Sequence, residues 1–183
     1  IRRMRAWLQS RAYRELRTPY DGARFADCWT IEDQTRVFRE MALLEEPLLF
    51  PDDRIGFHRR LSCRGPHRAG NVSPNYGRIV SRGMAAALDD IRRSMDKTDD
   101  PDKRAYGEAM HQQLSVCLQI ADRWQAAAAA AGNAPLAAAL SRVPRAGART
   151  FYEALVSLKA CIYCLRLYGA AHLTLGRFDQ YMY

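Results

Sequence analysis

Few residues in this chain combine a reactive side chain with a telling spacing. Cys161 and Cys164 form a C-x-x-C, the pattern of dithiol redox centres and of half a zinc site. No second pair follows at comparable spacing, and the motif is flanked by Ile162, Leu165 and Leu167, which marks both cysteines as core. His58, His67, His111 and His172 show no metal-ligand spacing among themselves. No G-x-S-x-G, phosphate loop or dinucleotide fingerprint occurs. The residues alone therefore supply no complete catalytic site and no metal site.

Two other stretches can face a ligand. In "GNVSPNYGR", Gly70 and Asn71 stand just ahead of a helix start, so backbone amides and the Asn71 side chain can meet a bound polar group. A plain loop would read the same way. In "YGAAHLTLGRFDQYM", small residues lie beside a short apolar run whose end carries Arg177 and Asp179. A barrel strand that leaves room for substrate has this pattern, and so does an ordinary buried salt bridge.

These stretches are positioned by helices. Met4, Leu8, Ala12 and Leu16 make one apolar stripe over residues 3–17. Thr30 with Asp33 caps a second helix carrying Phe38, Met41 and Leu44 and ended by Pro47. "LLFPDDRIGFHRR" reads as a loop leading into a short strand, and the glycine-rich "CRGPHRAGN" as a loop. Ser73 and Pro74 start a helix to about Met95 with Tyr76, Ile79, Val80, Met84, Ala87 and Ile91 on one face. Asp100 and Pro101 start the next, which runs through an alanine tract to Gly132. A short helix closed by Pro144 follows. Thr150 and Glu153 then cap a segment that is apolar on nearly all sides from Phe151 to Tyr168, as in a helix buried on most faces. "AAHLTLGRF" is expected to be a buried strand, and no internal repeat is visible.

Composition limits the partners. The chain has 183 residues, 48% of them hydrophobic, enough for a core. Its 28 basic residues against 20 acidic ones give a net charge of +8, but the arginines are strewn among acids without a basic stripe. A solvated surface is the expected reading, while local clusters such as "HRRLSCRGPHR" keep an anion-binding reading open and nucleic acid is a lesser possibility. Five cysteines, Cys28, Cys63, Cys117, Cys161 and Cys164, without framework spacing indicate reduced thiols. No apolar stretch reaches the roughly 20 residues of a membrane span, and no signal peptide is evident. A soluble, cytoplasmic protein is expected. The chain opens on Ile1 and closes on the aromatic "GRFDQYMY", which together suggest a piece of something longer.

Three motifs, "LRLYGAAHLTLGRFDQYMY", "GNVSPNYGRIVSRGMAAAL" and "RVPRAGARTFYEAL", together resemble the N-terminal part of glycyl radical enzymes of the pyruvate formate-lyase family. The nearer likeness is to its diol and glycerol dehydratase and choline trimethylamine-lyase branch. The resemblance implies a mainly α chain: the helical N-terminal portion of a ten-stranded α/β barrel, with one or two short strands. Residues 1–50 would be helical, 51–73 loop and short strand, 74–168 helices and 170–177 a barrel strand. It implies anaerobic radical cleavage of a C–X bond in a small polar substrate. A glycyl radical, installed by a separate S-adenosylmethionine activase, is passed to a central cysteine assisted by a glutamate. Those catalytic groups belong to regions beyond Tyr183, so no catalytic residue and no bound cofactor are expected here. Asn71 matches a position where relatives present a polar side chain, often histidine or arginine, to substrate. Ala171 and His172 match the strand lining the pocket. A neutral amide at Asn71 favours the lyase branch over carboxylate recognition. Relatives often form homodimers. Two other classes remain: a non-catalytic helical homologue that binds a partner subunit, and a basic helical nucleic-acid-binding domain.

Overall fold

The computed structural model describes residues 30–50, 53–59, 65–66 and 70–182. The helix expected over residues 3–17, together with Cys28, Cys63, His67 and Tyr183, lies outside the described residues. In chain order the elements are α1 (Ile31–Leu44), β1 (Asn71–Val72), α2 (Tyr76–Met95), α3 (Pro101–Ala130), α4 (Ala134–Leu140), α5 (Phe151–Tyr168), β2 (His172–Leu173) and the single turn α6 (Phe178–Tyr181). The chain is mainly helical with two short strands, as expected.

Side-chain oxygens open most of the helices. Thr30 Oγ1 accepts from Asp33 N at 3.1 Å to start α1. Asp100 accepts from Asp102 N and Lys103 N ahead of Pro101 to start α3. Thr150 accepts from Glu153 N at 3.1 Å to start α5, and the Glu153 carboxylate accepts in return from Arg149 N at 2.6 Å. Each such cap satisfies an amide that has no partner inside the helix, typically worth about 1 kcal/mol. The alanine tract is helical to Ala130, as its propensity requires.

α2 begins two residues later than "SP" suggests. The chain is still extended at Val72, whose carbonyl accepts from Thr174 N at 3.1 Å. Asn75 is the cap, accepting from Arg78 N. The helix then breaks at Gly83, where φ is +81° and ψ 167°. The amides freed by the break are met by a neighbouring loop: Met84 N donates to Pro144 O at 2.8 Å and Ala85 N to Arg145 O at 3.0 Å. In return Ala148 N donates to Val80 O at 2.8 Å. Backbone lies on backbone here, and a Cβ on Gly83 would sit 2.3 Å from Arg145 O, one on Gly147 2.2 Å from Ser81 O.

Two apolar clusters form the interior. The larger joins Val37, Phe38 and Met41 of α1 to Trp124 of α3, Leu136 of α4 and Val156, Tyr163 and Leu167 of α5. The smaller joins Tyr76 and Met84 of α2 to Leu118, Leu158 and Cys161. α5 lies between them and buries residues on most of its faces, matching its apolar sequence. Leu44, expected on the buried stripe of α1, is 45% exposed; Ala42 and Glu45 are buried instead.

Two strand expectations need correction. Residues 53–59 contain no strand. The Asp53 carboxylate captures Ile55 N and Gly56 N, amides that a strand would give to its neighbour. Gly56 and Phe57 then both take positive φ, which turns the Phe57 ring onto Trp124 at 4.8 Å and Tyr163 at 5.7 Å. The strand expected over 170–177 pairs only at His172–Leu173. A strand extends only as far as its partner, β1 has two residues, and Gly176 at φ +59° turns the chain into α6.

Candidate functional site

The parallel ladder between β1 and β2 brings the singled-out residues together. Asn71 pairs with His172 and Val72 with Leu173. Residues opposite each other in a ladder project on the same face. Asn71 and His172 thus share one exposed face, while Val72 and Leu173 are half-buried on the other. Ala171, also exposed, immediately precedes His172. The structure brings together Asn71, Ala171 and His172, which lie in two motifs far apart in sequence.

α6 packs against the first turn of α2, where a Cβ on Gly77 would lie 3.1 Å from Tyr181 Cβ. The Tyr181 hydroxyl donates to Leu175 O, and its ring lies 6.2 Å from that of Tyr76. Between these turns is a cleft of about 370 Å³ lined by Ser73, Asn75, Gly176, Arg177 and Gln180 among others. Arg177 and Asp179 are both exposed, so the buried salt bridge considered from sequence is not formed.

The remaining reactive groups are structural. Cys161 and Cys164 are 6% and 4% exposed, in accord with their apolar flanks. Burial raises the Cys161 thiol to about 12. Among the described residues no group of three or more His, Cys, Asp or Glu side chains is placed to hold a metal ion. One pair had no sequence signal: His58 Nε2 lies 2.6 Å from the buried Asp53 Oδ2, with the Phe50 ring edge-on at 4.6 Å. Burial raises the Asp53 pKa, but the hydrogen bonds from His58, Gly56 and Ile55 outweigh it and hold the carboxyl below its usual range. The pair fastens the 53–59 turn.

The arginines of α2 are similarly engaged. Arg78, Arg82 and Arg93 converge on Asp90, with Arg82 at 3.0 Å. Hydrogen bonds from Arg78, Arg82 and Arg93 push the Asp90 carboxyl down to about 2 from an ordinary 3.8. A depressed carboxyl favours the folded state where it is ionised. The contribution is therefore complete above about pH 4 and disappears as pH falls towards 2. Urea midpoints of the chain and of Asp90→Asn should differ near neutral pH and converge in that acid window. A difference independent of pH would contradict the ion cluster.

A family model described as "Pyruvate formate lyase-like" matches residues 64–183, which include the ladder, the broken α2 and the loop that locks it. The chain belongs to the pyruvate formate-lyase-like family. This pyruvate formate-lyase-like chain is also similar in fold to two solved structures. One, reported for 1,2-propanediol dehydration in Roseburia inulinivorans, has a TM-score of 0.56 at 18% identity, over 84% of this chain and 20% of the other. The second is the glycerol-bound, B12-independent glycerol dehydratase from Clostridium butyricum. Its TM-score is 0.58 at 19% identity, over 85% of this chain and 21% of the other. The pyruvate formate-lyase-like chain thus spans about a fifth of the length of these structures, both from the dehydratase branch that its motifs resemble. No curated protein matches it. No described helix is long and apolar enough to cross a membrane.

Proposed function

We propose that the chain is the N-terminal part of a glycyl radical lyase or dehydratase and supplies one wall of the pocket for a small polar substrate. The pairing of Asn71 with His172 carries this reading, because it sets two polar side chains side by side on an exposed parallel ladder. Parallel ladders occur almost only with both faces covered, so this face suits a site completed by further strands. Asn71 offers a neutral amide that both donates and accepts, and His172 an imidazole that does the same in its neutral form. Together they suit the hydroxyls of a vicinal diol or triol. Ala171 leaves space beside them.

The radical chemistry belongs to residues outside this chain. The buried thiols Cys161 and Cys164 have raised pKa values and no access to the ladder face, and they take no part. The work of these residues is to bind and orient substrate; a cytoplasmic, anaerobic setting and an S-adenosylmethionine activase complete the proposal.

The test is the complete reading frame, produced anaerobically with an activase. Asn71→Ala and His172→Ala should each lower kcat/KM for a vicinal diol by about 10- to 100-fold, the loss of one buried hydrogen bond in the transition state. The glycyl radical signal in electron paramagnetic resonance should persist. Unchanged kcat/KM, or a frame without a cysteine-x-glutamate loop and a glycine loop, overturns the reading.

A second reading rests on the open cavity of about 740 Å³ between α2, α3 and α5, whose rim carries Tyr106 at 55% and Met110 at 39% exposure. A non-catalytic homologue would seat a partner subunit there. It requires a stable heteromeric complex, and a monomeric chain in size-exclusion chromatography with that partner present excludes it.

A further inference from the structure

The cavity between α2, α3 and α5 has the size and chemistry of a small-molecule pocket. Its volume of about 740 Å³ falls in the range of roughly 300–1,000 Å³ usual for such sites. The wall is mainly apolar, with Ile79, Met84, Ile91, Met95, Leu114 and Leu165 among its residues. Charges at its edge are paired, Arg78 with Asp90 and Lys103 with Asp100 at 3.2 Å. A charged ligand would therefore lose hydration there without gaining a free counter-ion.

One polar group of the wall stands apart. Tyr76 is 2% exposed, and its hydroxyl is buried without a hydrogen-bond partner among the described residues. Native interiors leave few such groups unpaired, because a buried hydroxyl that has lost water and gained nothing is costly. Burial pushes its pKa up to about 12, so it is a neutral donor at ordinary pH. A flat protein face laid over the rim at Tyr106 and Met110 would leave that donor unmet. A slender molecule between the helices can meet it, since the unbranched side chains of Met84, Met95 and Met110 in the wall can shift to open its path.

We propose that this cavity is a binding site for a small, uncharged, mainly aliphatic molecule ending in one hydrogen-bond acceptor, of the type of a medium-chain primary alcohol, with Tyr76 donating to its oxygen. The chain of such a molecule lies along the apolar wall, and its oxygen satisfies the one unpaired group. Carboxylates of the same length are disfavoured by the paired charges at the edge. None of Asn71, Ala171 and His172 lines the cavity, so the inference does not depend on the proposed enzymatic role.

The chain, carrying carbon-13 at its methionine methyls, is titrated with 1-octanol and separately with octanoate, and followed by nuclear magnetic resonance. Octanol should move the signals of Met84, Met95 and Met110, which line the cavity, in a saturable way and leave Met41 and Met182 in place. Octanoate should bind at least about tenfold more weakly. Tyr76→Phe keeps the ring and removes only the donor, so it should fold as before and bind octanol about fivefold more weakly, the loss of one hydrogen bond. Ala87→Trp, which fills the cavity, should abolish binding. If either variant fails to fold, the methionine signals and the octanol-to-octanoate ratio of the unsubstituted chain decide. Shifts that do not saturate or that reach Met41 equally, octanoate binding as tight as octanol, or unchanged affinity in a folded Tyr76→Phe overturns the proposal. Movement of the same three signals on dilution of the free chain also overturns it, because the cavity then belongs to a second copy.

Discussion

Gly83→Ala is expected to destabilise the chain by about 4 kcal/mol. Three effects combine. At φ +81° and ψ 167° the residue occupies a region open in practice only to glycine, and a side chain there costs about 1–3 kcal/mol. The new Cβ would lie 2.3 Å from Arg145 O and 2.5 Å from Ala146 C, so the 144–147 loop must withdraw. Withdrawal breaks the bonds from Met84 N and Ala85 N, each worth about 1 kcal/mol. Small domains hold only about 5–15 kcal/mol in total, so the variant loses much of its stability or fails to fold cooperatively. Gly147→Ala separates the causes, because its Cβ meets Ser81 O at 2.2 Å without any positive φ. Chemical denaturation of both variants is the measurement. A loss under about 1 kcal/mol for Gly83→Ala would mean that the two segments do not interlock.

Trp124→Ala should cost about 3–5 kcal/mol, the range for emptying a buried aromatic site. Trp124 is 1% exposed and contacts the rings of Phe57 and Tyr163, at 4.8 and 6.1 Å. The effect reaches beyond the cavity. Phe57 holds a positive φ of 60°, uncommon for a bulky residue, and the Trp124 face is what keeps its ring in place. Without it the 53–59 turn loses its main apolar anchor. Urea denaturation and loss of amide protection at Gly56 and Phe57 should appear together; a destabilised chain with that turn unchanged would separate the two.

Much of the helical frame was legible because its signals are local. Thr150 with Glu153, Asp100 with Pro101 and the alanine tract act within a turn or two of themselves, and the unbroken apolar character of Phe151 to Tyr168 shows a helix buried on most faces. Gly83 was missed because Tyr76, Ile79, Val80 and Met84 keep helical period straight through it; only the carbonyls of Pro144 and Arg145 make the break stable. Ser73 and Pro74 are a good helix start overruled by the ladder at Val72. The strand over 170–177 was overestimated because strand length depends on a partner that the segment itself does not encode. The Asp53–His58 pair left no pattern at all. Asn71, Ala171 and His172 were singled out through the family's motifs, but the meeting of Asn71 with His172 on one face depends on a register that no local stretch reveals.

That register has a kinetic consequence. Joining Asn71 to His172 closes a loop of about a hundred residues for the sake of a two-residue ladder, whereas the helices form from near neighbours. Contacts of such long range are made late in folding and opened early in native fluctuations. Among the described residues the Asn71–His172 ladder is therefore expected to assemble late, and its amides should be among the first to exchange with solvent deuterium.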